Sequence, residues 1–158
     1  MMALADFYSA CGPSVHPDTI AAVVAVESGG HPWAIGTPHG AYFPRTRGEA
    51  TRVLARALRS ESSVDVGLMQ INSQWIGRLH VAPEQLLDPC FNVRIGAAIL
   101  AENFVDAARP GRTLLETLAA ALSRFNSGSE TGAVSYAAKV LSVRVRSDQS
   151  PAGANDAR

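Results

Sequence analysis

The stretch "IAAVVAVESGG" (Ile20–Gly30) reads as a buried helix that carries one carboxylate, Glu27, at a position where the period asks for an apolar residue. At about 100° per residue, Ile20 and Glu27 fall within roughly 20° of each other, with Val23 and Val24 flanking the same stripe. Pro17 and Asp18 suit a first helical turn and Gly29-Gly30 ends one, so the spacing predicts a helix from Pro17 to Ser28. Glu27 then lies in the last turn, where the negative end of the helix dipole and partial burial both disfavour an anion and raise its pKa. A carboxyl group that keeps its proton near neutrality suits general acid catalysis, glycoside cleavage above all. The competing reading turns Glu27 outward beside Gly29 into solvent.

Outward from this stretch the pattern stays mostly helical. "TRGEATRVLARALRS" (Thr46–Ser60) has capping-box spacing at Thr46 and Glu49 and an apolar stripe through Ala50, Val53, Leu54, Ala57 and Leu58. "VDVGLMQIN" (Val64–Asn72) is too short for a stable helix and reads as a short strand or extended turn. "NVRIGAAILAENFVDAAR" (Asn92–Arg109) is helical up to Pro110-Gly111. "TLLETLAAALSRFNSG" (Thr113–Gly128) brings a second capping box, Thr113 with Glu116, and Gly128 as its C-terminal cap. A last helix is expected around "AVSYAAKVLSV" (Ala133–Val143). The division read from the sequence is a lead-in over 1–10, one domain over 11–143 and a disordered tail over 144–158.

At 158 residues, 47% hydrophobic and with a mean hydropathy of +0.06, the composition is that of a single globular domain with a real core. Fourteen basic and 14 acidic residues cancel, so net charge gives no reason to invoke nucleic acid or an anionic membrane, and no apolar run reaches the length of a membrane span. "MMALADFYSA" lacks the basic and apolar regions of a secretory signal, which leaves a cytoplasmic chain or a leader not present here as the two readings. Cys11 and Cys90 do not have zinc-site spacing; they read as one disulfide or two free thiols. His16, His31, His39 and His80 show no ligand spacing, and no metal or other cofactor is expected.

Four motifs in order, "VESGG" (Val26–Gly30), "VDVGLMQINSQW" (Val64–Trp75), "SRFNSG" (Ser123–Gly128) and "YAAKVL" (Tyr136–Leu141), resemble the lytic transglycosylases of the lysozyme superfamily. The resemblance covers about Cys11 to Val143 and is nearest to the specialised transglycosylase subunits of type IV secretion and conjugation machines, whose "CGPSVHPDTIAAVVAVESGG" and "LDPCFNVRIGAAIL" segments it shares. It implies a mainly α-helical α+β fold, lysozyme-like, with a small β element beside the catalytic cleft. It also implies cleavage of a peptidoglycan glycan strand between N-acetylmuramic acid and N-acetylglucosamine with 1,6-anhydro ring formation, in the periplasm, with secretion-system subunits as partners.

By the same resemblance Glu27 is the catalytic acid and Ser28 orients it. Gly67, Leu68, Met69 and Gln70 line the cleft opposite, Asn126 contacts substrate, the Tyr136 phenol approaches the acid, and Cys11 pairs with Cys90. The third motif departs from the family's usual form at Phe125, where Tyr is commoner, and at Ser127, where Ala is commoner; periodicity assigns Phe125 to the core.

Three alternatives compete. "DVGLMQINSQW" also resembles c-type lysozymes, which makes Asp65 a candidate second carboxylate and the protein a muramidase that admits water; the plainer reading of Asp65 is a turn residue. A non-catalytic glycan-binding assembly factor is the third class, disfavoured by the joint presence of Glu27, Gln70, Asn126 and Tyr136. Arg45, Arg52, Arg56 and Arg59 recur at helical spacing and read as a solvated face rather than a binding stripe. Trp33 and Trp75 are core residues or sugar-stacking platforms.

Overall fold

The structure, a computed structural model, describes residues 3–148. Among the described residues, seven α-helices and four short strands follow one another as α1 (Leu4–Cys11), α2 (Pro17–Glu27), β1 (Ile35–Thr37), β2 (Gly40–Tyr42), α3 (Arg47–Ser60), β3 (Asp65–Val66), β4 (Ile71–Asn72), α4 (Gln74–Leu79), a 3₁₀ turn (Pro83–Leu87), α5 (Pro89–Ala107), α6 (Leu114–Ser127) and α7 (Val134–Asp148). This is a mainly helical α+β fold consistent with the lysozyme-like expectation. No helix among the described residues is long and apolar enough to cross a membrane.

Local chemistry sets the helix ends. The His16 side chain accepts from the Asp18 amide and Pro17 occupies the first turn, so α2 starts where Pro17 predicts, and it stops at Ser28 before two left-handed glycines. Thr113 and Glu116 form a complete capping box at α6, and Gly128 closes that helix at φ 75°. At α3 only half of the box forms. Thr46 accepts from the Glu49 amide, whereas the Glu49 carboxylate reaches past it to the Arg45 amide at 2.8 Å.

α5, 19 residues long, is the central strut; it packs most extensively on α6 and also meets α1 and β4, while α7 packs on both α2 and α6. The core runs through Ile20, Val23, Leu54, Met69, Ile71, Leu100 and Leu122, all nearly or fully buried. The strands form one antiparallel sheet ordered β2-β1-β3-β4, with Ile35 opposite both Tyr42 and Val66, and Val66 opposite Ile71. Cys11 and Cys90 are joined, tying the end of α1 to the start of α5.

Several elements differ from the sequence reading. Residues 4–11, read mostly as a lead-in, form α1 and bury Tyr8. Val64–Asn72 is not one extended segment but a hairpin, because Gly67 takes a φ of 81° and Gln70 one of 47° between the strands. The β1–β2 hairpin and α4 had no clear periodic signal in the sequence. α7 continues to Asp148, beyond the expected end of the domain at 143, and residues 149–158 of the expected tail lie outside the described residues.

Candidate active site

α2 ends with its apolar stripe buried, Ile20 and Val23 completely and Val24 almost so, and this face carries Glu27 into a cleft of about 810 Å³ rather than out beside Gly29. The Tyr136 hydroxyl, from the first turn of α7, donates to Glu27 Oε1 at 2.5 Å. Burial pushes the Glu27 carboxyl up to about 7, assisted by the charge of Asp65 and opposed by the Tyr136 hydrogen bond and the Lys139 ammonium. Burial and the adjacent carboxylate raise the Tyr136 phenol in turn, so at neutral pH it keeps the proton it donates to Glu27.

Asp65 opens β3 and lines the same cleft. Its Oδ1 accepts from Asn72 Nδ2 at 2.8 Å, and burial raises its pKa against that hydrogen bond. Gln70 also lines the cleft, but its amide nitrogen donates to the carbonyls of Ala34 at 3.1 Å and Gly67 at 2.9 Å. Those bonds hold a non-glycine residue in the left-handed region, a conformation that by itself costs about 1 kcal/mol or more.

The structure therefore brings Glu27, Asp65, Gln70 and Asn126 to one cleft, with Tyr136 on the acid. Ser28, Gly67, Leu68 and Met69 are buried and absent from its lining. Ser28 Oγ donates to the Leu68 carbonyl at 2.8 Å and accepts from the Gly30 amide at 3.2 Å, so it clamps the end of α2 to the β3–β4 turn. Met69 packs into the core. Gly67 is where backbone and side chain approach closely, but the side chain is that of Asn92 on α5, not a ligand: a Cβ on Gly67 would lie 2.3 Å from Asn92 Nδ2. Phe125, assigned to the core by periodicity, does both jobs, packing on the core and lining the cleft.

The sequence reading missed the far wall. Glu102, Asn103 and Asp106 from α5 and Arg124 from α6 line the cleft, with Arg124 Nη1 3.4 Å from Asp106 Oδ2. Trp75 and Arg78 from α4 line it as well, the guanidinium 5.1 Å from the centre of the Trp75 ring. Spacing alone offered a signal for α5, since Glu102, Asn103 and Asp106 share a helical face, but nothing in it distinguishes a cleft wall from a solvated one. Arg45, Arg52, Arg56 and Arg59 are exposed and outside the cleft lining.

Comparison with known proteins fits this geometry. The chain is 34% identical over 128 residues to a protein named virB1 of Agrobacterium fabrum, covering 80% of this chain and 52% of that protein. It is 34% identical over 127 residues to a type IV secretion system protein virB1 of Brucella abortus, covering 77% of this chain and 52% of the relative. The chain thus spans about half the length of the curated relatives it matches. No solved structure matches. The model of the transglycosylase SLT domain matches residues 7–132, a span that takes in α2, the sheet and the cleft walls of α5 and α6 and stops just short of Tyr136. The chain belongs to the transglycosylase SLT domain family.

Proposed function

We propose that the protein is a peptidoglycan lytic transglycosylase that cleaves the β-1,4 bond between N-acetylmuramic acid and N-acetylglucosamine and leaves a 1,6-anhydro end. The observation that carries this reading is a partly buried carboxyl raised to about 7 on a cleft wall and held by the Tyr136 phenol. Protonated Glu27 gives its proton to the bridging oxygen, and the C1–O bond breaks as the N-acetyl oxygen of the muramyl residue stabilises C1. Glu27, now a carboxylate, removes the proton from the C6 hydroxyl of the same sugar, and that oxygen bonds to C1. The proton count closes without water, and one carboxyl group serves as acid and then base.

Tyr136 holds the acid's orientation and favours its carboxylate form for the second step. Asn126 and Gln70 hold sugar groups by hydrogen bonds, and Ser28 acts from behind by fixing the end of α2. The names of the virB1 relatives support a role beside a type IV secretion apparatus, opening the wall locally for its assembly, with secretion subunits as partners. Peptidoglycan lies outside the cytoplasmic membrane, so the site of action is the periplasm, where a disulfide such as Cys11–Cys90 persists. Digestion of purified sacculi tests the reading: wild type should release anhydromuropeptides and Glu27→Gln, which keeps the shape but cannot deliver a proton, should release none.

A second reading has one observation behind it. Asp65 lines the cleft with Glu27 and raises that carboxyl through its charge, which supplies the second carboxylate that a hydrolysing muramidase needs.

A further inference from the structure

We propose that Ser123 is a positioning residue for the Tyr136–Glu27 pair: it pins the α6–α7 loop so that the first turn of α7 presents the phenol to the acid. Ser123 is only 1% exposed. Its Oγ donates to the Ser129 carbonyl at 2.9 Å and accepts from the Ala133 amide at 2.9 Å, so one buried hydroxyl holds both ends of the loop. Ala133 immediately precedes α7, and Tyr136 lies three residues on, less than one helical turn from the pinned amide.

Two further contacts close the same loop. Ser127 Oγ lies 2.8 Å from the Ser123 carbonyl and 3.1 Å from that of Ser129, and a Cβ on Gly132 would come within 2.6 Å of it, so the loop packs directly onto this hydroxyl. Ser127 is the position at which the motif departs from the commoner Ala, and here the extra oxygen bonds the loop. At the outer edge Glu130 pairs with Arg109 at 2.5 Å and Arg112 at 3.2 Å, and Arg112 also donates to the Ala107 carbonyl, which ties the loop to the end of α5.

The inference deepens the proposed reaction and rests on it only for its kinetic readout. The titratable groups that act on Glu27 are Tyr136 and Lys139 from α7 and Asp65 from β3; Arg78 from α4, Glu102 and Asp106 from α5 and Arg124 from α6 line the same cleft. The Tyr136 hydrogen bond is the larger of the two α7 contributions that favour the Glu27 carboxylate, ahead of the Lys139 charge, and it is the one the first turn sets. A first turn that shifts or rotates therefore raises the Glu27 pKa, since hydrogen bonds weaken steeply with misalignment. Loss of stability alone would lower the amount of folded enzyme without moving that titration.

The test is a double-mutant cycle read by carboxyl 13C NMR titration of Glu27 in the free protein, with the pH profile of sacculus cleavage alongside. Ser123→Ala and Tyr136→Phe should each raise the Glu27 pKa and carry the alkaline limb of the activity profile to higher pH. The double variant should match Tyr136→Phe alone. Ser123→Ala should also lower kcat about 10-fold with KM within about twofold, as expected of lost alignment rather than lost binding. An unchanged Glu27 pKa in Ser123→Ala, or additive shifts in the double variant, overturns the proposal. If Ser123→Ala does not fold, Ser127→Ala, at an exposed position, should move the titration in the same direction, and a wild-type titration in it overturns the proposal equally. A wild-type protein that leaves sacculi intact while the NMR cycle holds would sink the proposed function and leave the positioning role standing.

Discussion

Asn92 and Gly67 occupy complementary space: Asn92 Nδ2 donates to the carbonyls of Val66 at 2.7 Å and Leu86 at 2.9 Å, and its Oδ1 accepts from the Met69 amide at 2.9 Å, in the volume that a Cβ at position 67 would need. One fully buried side chain thus satisfies three backbone groups and fastens the β3–β4 hairpin to α5. Asn92→Ala leaves those groups buried and unpaired, and should cost about 3 kcal/mol. Gly67→Ala meets both the clash and a φ of 81°, and should cost a similar amount, roughly 3 kcal/mol. Urea denaturation of each variant measures this, and a loss under about 1 kcal/mol at both sites would contradict the account.

The pKa of Glu27 links the site to stability. Its carboxyl is raised from the ordinary 4.5 to about 7, so the folded chain holds a proton that the unfolded chain releases. The stability this contributes is complete below pH 4.5 and is lost as pH rises through 7. Glu27→Gln carries no such penalty. It should be more stable than wild type by roughly 2 kcal/mol at pH 8, with the gap closing toward pH 4. Thermal melts of the two proteins across that range check the sign, and a pH-independent difference would show that Glu27 does not titrate in this window.

Glu27 was legible in the sequence because its signals are local: an apolar stripe read at helical spacing and a Ser-Gly-Gly stop. The caps at Thr113 and Gly128 were legible for the same reason. Asn92 was not, since a polar residue inside an apolar helix shows its purpose only when the hairpin it bonds, more than 20 residues upstream, is folded against it. The cleft wall of Glu102, Asn103, Asp106 and Arg124 stayed hidden because a charged helical face looks the same whether it borders solvent or a cleft. The β1–β2 hairpin is three residues a side, too short for alternation to register, and its place is set by Ile35 pairing with Val66. Gly67, Leu68 and Met69 were read as cleft lining and instead build its support, a distinction that depends on how the β3–β4 turn folds against α5.

The Cys11–Cys90 link closes a span of 79 residues between α1 and α5. In the chain-entropy model a loop of this size stabilises the fold by about 4 kcal/mol through the unfolded state, and it also retains α1, whose Tyr8 packs in the core. The Cys11→Ala/Cys90→Ala variant should lose about 2–4 kcal/mol, with early loss of amide protection confined to α1. Thiol titration of the unfolded, unreduced protein is the companion measurement. Two reactive thiols per chain would refute the link.

Asp65 decides between the two reaction outcomes. A muramidase needs a second carboxylate either to activate water or to attack C1, whereas intramolecular ring closure needs only Glu27 and the substrate's own N-acetyl and hydroxyl groups. Asp65 is held by Asn72 at 2.8 Å, its pKa raised by burial, so Asp65→Asn keeps the shape and removes the charge. Removing that charge also lowers the Glu27 pKa, because Asp65 is one of the groups that raises it. The alkaline limb of the activity profile should therefore move to lower pH while anhydro ends continue to form, within about tenfold of the wild-type rate. Digesting sacculi with both proteins and reducing the products with borohydride separates the readings, since anhydro ends resist reduction and are lighter than reducing ends by one water. Reducible muramic acid ends from the wild type, lost in Asp65→Asn, would replace the transglycosylase with a hydrolase in which Asp65 acts on water or on C1.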